Sequence, residues 1–184
     1  MPFYSNQLDL MIGFISAMIN HASEETNSIE EKNKLEGDQF FNIFIEYIFF
    51  FLHLAYRRIY PLTEERKRDI LMTQLADLAI RAAIDSKGFF LDEETKNELY
   101  NKYVQDYMIT MFDYCKLPEY TKEKDGSSQM PLYWHFQEKV ATLSGRGSNT
   151  AAIIAIGGTL IVRAKDLNID IFSKELVSNR WESE

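Results

Sequence analysis

A single cysteine, Cys115, is all the thiol this sequence carries. A disulfide framework within one chain and a four-thiolate zinc site are therefore excluded. Nothing around Cys115 marks it as a nucleophile, and on an apolar helix face it reads as a small core residue. Breakers are scarce too, with eight glycines and four prolines in 184 residues. Few breakers and many long apolar side chains favour helices. Basic residues are outnumbered, 20 against 28 acidic ones, for a net charge of −8. That balance argues against a nucleic-acid footprint, which needs clustered Lys and Arg. The one short basic cluster, Arg66-Lys67-Arg68, follows Glu64 and Glu65 and reads as a solvated face.

Several catalytic signatures are also missing. The chain has no Glu-x-x-His, no His-x-x-x-His and no His-Glu-x-x-His, which removes the usual di-iron and zinc helices. No acidic residue is followed by another at a spacing of three. Paired-carboxylate helix faces, common in magnesium-dependent all-α phosphohydrolases, are thus not expected. There is no Gly-x-Ser-x-Gly elbow and no phosphate loop. No metal or other cofactor is expected.

What is present predicts an all-α fold: one domain over 1–184, an irregular bundle of five to seven helices. The 46% hydrophobic content and the length suffice for a real core. The stretch at 4–20 places Leu8, Met11, Ile15 and Met18 at helical spacing. Residues 21–38 and 118–130 are polar and read as mobile loops, although Ser28 and Glu31 fit a capping box. A helix over 64–87 ends at Gly88, and one after Asp92 stops before Pro118. A shorter helix opens at Pro131. Residues 151–163 match both a hairpin around Gly157-Gly158 and a helix capped by Asn149. The alanines favour the helix, expected to be central and buried. A short last helix is expected from near Ser173.

Residues 39–60, QFFNIFIEYIFFFLHLAYRRIY, hold the main candidate site. At about 100° per residue, Asn42, Glu46, His53 and Arg57 fall within about 60° of one another on a helix. This narrow polar stripe either faces solvent, makes buried polar contacts, or lines a cleft. Tyr103 and Tyr107 lie on one face of the helix after Asp92 and could supply partners. His135 and Glu138, one turn apart, could face the same place. A metal shared by Glu46, His53, His135 and Glu138 is conceivable, but Glu46 and His53 alone stand about 10 Å apart along the axis. The turn Gly145-Arg146-Gly147 precedes a helix and could cradle an anion.

The segment AKDLNIDIFSKELVSNRW resembles the C-terminal part of the all-α nucleotide pyrophosphohydrolases, over about a tenth of the chain. That resemblance implies metal-binding acids on the preceding helix. This sequence has Ala152 and Ala155 there, which takes the metal out of the expectation.

The run at 40–56 is long but carries Glu46 near its centre, and 151–162 is too short to cross about 30 Å of hydrocarbon. No membrane span is expected. The start, MPFYSNQLDLMIGF, has no basic segment or clean cleavage site, so the expected location is the cytoplasm. The functional expectation is a non-enzymatic interaction protein, a homodimer, with an acidic surface suited to a basic protein partner. The alternative is a small-molecule- or metal-binding enzyme or sensor whose pocket is lined by Glu46, His53 and Arg57.

Overall fold

A computed structural model describes residues 5–36, 38–88, 90–122 and 128–178. Seven α-helices lie among them: α1 (Ser5–Asn33), α2 (Gln39–Ile59), α3 (Glu65–Lys87), α4 (Glu93–Cys115), α5 (Pro131–Leu143), α6 (Thr150–Asp166) and α7 (Ile169–Ser178). The all-α bundle expected from composition is what forms. The chain's order of helices wraps around α2, which packs against α1, α3, α4, α5 and α7.

The reason lies in α2's side chains. Every residue from Ile43 to Ala55 is buried, so one line of contacts would leave most of them wet. Phe50 shows how the surroundings meet this demand. Its ring touches Tyr114 of α4 and Tyr133 and Phe136 of α5, at centroid distances of 5.7, 5.3 and 4.4 Å. Off-parallel rings at these separations add attraction beyond the area they bury. By length and composition α2 could cross a membrane, yet 72% of its apolar window is buried by the other helices.

Local signals place several ends as read from sequence. Asp92 accepts from the Thr95 N–H at 2.8 Å, and Asn149 from Ala152 N–H at 3.1 Å. These caps satisfy backbone donors that a helix start leaves open. Pro131 opens α5 and Gly88 closes α3.

Four expectations need correction. Residues 21–33 are not a loop but the second half of α1. Ala22, Thr26 and Ile29 continue the buried stripe of Met11, Ile15 and Met18, and the Thr26 hydroxyl donates to Ala22 O at 2.7 Å. In the 118–130 segment, Thr121–Lys122 and Ser128–Gln129 pair as a small antiparallel hairpin; residues 123–127 lie outside the described residues. Segment 151–163 is helix, as favoured, but α6 is not central. It rests on α5 with Ile153, Ile156, Gly157 and Leu160 buried, while Ile154 and Val162 are 59% and 53% exposed. Finally, α7 begins at Ile169, four residues before Ser173.

Arg58 fastens the C-terminal end of α2 to two distant pieces of chain. It grips Glu119 with two hydrogen bonds of 2.7 Å and reaches Asp170 of α7 at 2.7 Å. Such a two-pronged pairing fixes geometry as well as charge.

The two glycines of α6 differ in what surrounds them. A Cβ on Gly157 would stand 2.1 Å from the buried Gln137 side chain of α5, whereas one on Gly158 would meet nothing within 4 Å. Gly158→Ala is therefore expected to stabilise the fold by about 1 kcal/mol, the helix propensity gained. Gly157→Ala is expected to show no such gain, because Gln137 must move. Urea melts of the two variants check this pair.

Candidate functional site

The polar stripe of α2 faces inward. Glu46 is 4% exposed, and α4 and α5 supply what its carboxylate needs. The Tyr114 hydroxyl donates to Oε1, and Lys139 Nζ lies 2.8 Å from Oε2. The same ammonium donates to Thr110 Oγ1 at 3.0 Å. Burial raises the Tyr114 pKa well above its usual value, and the Glu46 charge adds to this. Tyr114 therefore remains a protonated donor. The arrangement is a closed circuit in which one buried charge has a counter-ion and a hydroxyl.

A cavity of about 270 Å³ opens beside this circuit, between α2, α4 and α5. Asn42, Tyr103, Asp106 and Thr110 contribute its polar wall. Tyr103 is buried under a stacked contact with Phe41 at 5.4 Å, and burial pushes its hydroxyl up to about 12. Tyr107, by contrast, packs on Phe49 at 5.5 Å and does not line the cavity.

Farther along α2, His53 is fully buried. Arg57 Nε–H donates to His53 Nε2 at 2.7 Å, so the imidazole proton is assigned to Nδ1. Nδ1 finds no partner among the described residues. Burial lowers the His53 pKa to about 3, and the Arg57 charge pushes the same way. A histidine held neutral so firmly is no acid catalyst near neutrality. The rest of Arg57 is occupied as well: Nη2 donates to the carbonyls of Tyr114, at 3.0 Å, and of Leu117. These carbonyls end α4, where a cation is favoured by the helix dipole.

The candidate residues from the α5 region are not gathered into one site. His135 is half-buried, edge-on to the Tyr114 ring at 6.0 Å. Glu138 is exposed and lies outside the cavity wall. Among the described residues, no group of three His, Cys, Asp or Glu is placed to hold a metal. At the glycine turn, Gly145 takes φ +75° and its N–H donates to Thr142 O at 3.0 Å. Arg146 N–H donates to Ala141 O at 2.7 Å. This pair of bonds is the Schellman ending of α5, so these two amides are not free for an anion. The Arg146 side chain instead approaches Lys32 O at 3.4 Å, and Gly147 lies tight against Thr142.

Comparison with protein-family models, curated proteins and solved structures gave no match. The geometry stands by itself.

Sequence reading missed Lys139. A signal was present: Leu132, Phe136, Lys139 and Leu143 share one face of α5. A lone cation on an apolar stripe implies a buried anion elsewhere. Thr110 gave no such signal. Reading also placed Cys115 on a core face, but it is exposed. It belongs to an outward face of α4 where Met108, Ile109 and Phe112 are 66%, 63% and 67% exposed.

Proposed function

We propose that this chain is a non-enzymatic interaction protein that works as a homodimer, with the outer face of α4 as its self-docking surface. The observation that carries this reading is the distribution of side chains on that face. Met108, Ile109 and Phe112 form an exposed apolar patch, and charge brackets it: Glu98 and Lys102 towards one end, Lys116 at the other. A twofold axis near Tyr107 would set an antiparallel copy so that Glu98 faces Lys116 and Lys102 faces Phe112. Self-complementarity of this kind is what an isologous interface requires. The reactive groups of the interior support the same reading. All three lie on α2: Glu46 is committed to Tyr114 of α4 and Lys139 of α5, and Arg57 to His53 and to the carbonyls at the end of α4, so they hold α2, α4 and α5 together.

Sedimentation velocity over a concentration series tests this. The wild-type chain is expected to dimerise. Phe112→Glu is expected to weaken the dimer at least about 30-fold, a hot-spot loss near 2 kcal/mol. Diluted to monomers, the two proteins should melt at nearly the same temperature, since Phe112 is 67% exposed in the monomer; at dimer-forming concentrations the wild type should melt higher. A wild-type monomer at every concentration would refute the homodimer.

The cavity beside Glu46 supports a second reading, a small-molecule sensor. Native mass spectrometry separates the two. A bound ligand would add mass that disappears on unfolding and that Glu46→Gln releases.

A further inference from the structure

We infer that the groove between α1 and α7 is a docking site for a basic amphipathic helix of another protein; this rests on the reading of the chain as an interaction protein and names its partner class. The groove holds about 710 Å³. Phe14 and Phe172 form its floor, their rings stacked 3.9 Å apart at 5°. Leu10 and Ala17 extend the floor along α1, and Ile171, 57% exposed, extends it along α7. Phe14 and Phe172 are themselves buried and Leu10 and Ala17 half-buried, so the apolar side chain left open to solvent is that of Ile171.

The rim of the groove identifies its occupant. Asp9 stands on α1, Asp166 at the end of α6 and Glu175 on α7, and no Lys, Arg or His is among the described lining residues. None of the three carboxylates has an ion pair among the described residues. An apolar floor between unpaired acids fits a helix with one apolar face flanked by Lys or Arg. The α1 wall runs from Asn6 to Ala17, which is about 16 Å or three helical turns. Gly13 leaves a notch midway, since a Cβ there would meet nothing within 4 Å. A second copy of this chain is the poorer occupant. It carries a net charge of −8 and would set acid against acid.

The experiment is a fluorescence-anisotropy titration of the whole protein with a labelled Leu–Lys amphipathic peptide of about 14 residues, a four-turn helix. A Leu–Glu peptide of the same pattern is the control. The Leu–Lys peptide should bind, the Leu–Glu peptide should not, and added salt should weaken binding. Asp9→Lys/Glu175→Lys and Gly13→Leu should each weaken it at least about tenfold. Gly13→Ala carries a distinct signature: a higher melting temperature, from better helix propensity, together with weaker binding. Phe112→Glu, on another face, should leave the titration unchanged. Equal binding of the two peptides would overturn the inference. So would binding that ignores both the charge reversal and Gly13→Leu, or a self-association that Gly13→Leu abolishes, which would assign the groove to a second copy. Sedimentation reads the α4 dimer separately. A monomer that still binds the Leu–Lys peptide removes the dimer and keeps the groove, and a dimer that ignores the peptide does the reverse.

Discussion

Acidification from pH 6.5 towards pH 3 is expected to remove about 4 kcal/mol of folding stability through His53 alone. In the unfolded chain His53 takes up a proton near pH 6.5. In the folded chain it does so only at about 3. Between those values the unfolded state binds one proton more, so stability rises with pH across the window. The contribution is fully present above pH 6.5 and is lost as pH falls. The cause is geometric. The ring is fully buried, the Tyr114 ring lies 5.3 Å away, and the nearest charge is the Arg57 guanidinium, of the same sign as a protonated imidazole. Protonation would also take away the Nε2 lone pair that accepts from Arg57.

His53→Phe isolates this effect. At pH 7 the variant should be less stable by about 2 kcal/mol, because Arg57 loses an acceptor in a partly buried place. The wild type then loses about 1.4 kcal/mol per pH unit that the variant does not. Their order should reverse near pH 5. Urea unfolding of both proteins at stepped pH measures the difference directly. Parallel curves from pH 7 to pH 4 would mean that His53 is not held neutral by the fold.

The same helix shows how far a sequence can be read. The stripe of Asn42, Glu46, His53 and Arg57 stands out because polar groups are confined to one line on an apolar helix. That confinement already requires a partner for each group. It says nothing about where the partners come from, since Tyr114 lies 68 residues from Glu46 along the chain. The second half of α1 was hidden for a different reason. Its inward positions are Ala22, Thr26 and Ile29, a weak stripe, and Ser28 with Glu31 imitates a helix start. In α6 the opposite error arises. An uninterrupted apolar run reads as a buried helix, but burial depends on how many neighbours surround it. Here α5 covers one side and the other stays wet. Caps and breakers act locally and were legible; the position of a helix in the bundle depends on all the others.

Lys139→Met is expected to cost about 3 kcal/mol, and Glu46→Gln less than half of that. The asymmetry follows from exposure. The Lys139 side chain is 35% exposed while that of Glu46 is 6% exposed. Without Glu46, the ammonium can turn along its flexible stem into water. Without Lys139, the carboxylate keeps the Tyr114 hydroxyl but loses its counter-ion among the described residues, and its short, buried side chain cannot carry it out into open solvent. The cost lies at the lower end for a broken buried pair because Lys139 already reaches solvent. The double variant should be more stable than the sum of the single costs allows, by about 2 kcal/mol, since the second change removes the charge stranded by the first. Effects should also reach the outer surface. Glu46 of α2 holds Tyr114 and, through Lys139 of α5, Thr110, and these two lie on the inner face of α4. Lys139→Met should thus loosen α4 and weaken the proposed dimer along with the fold. Phe112→Glu should weaken the dimer alone. Equal costs for the two single variants would refute the asymmetry argued from exposure, and strict additivity in the double would show that Glu46 and Lys139 do not stabilise each other. The bond between α2 and α4 would then rest on Tyr114 and the packed rings.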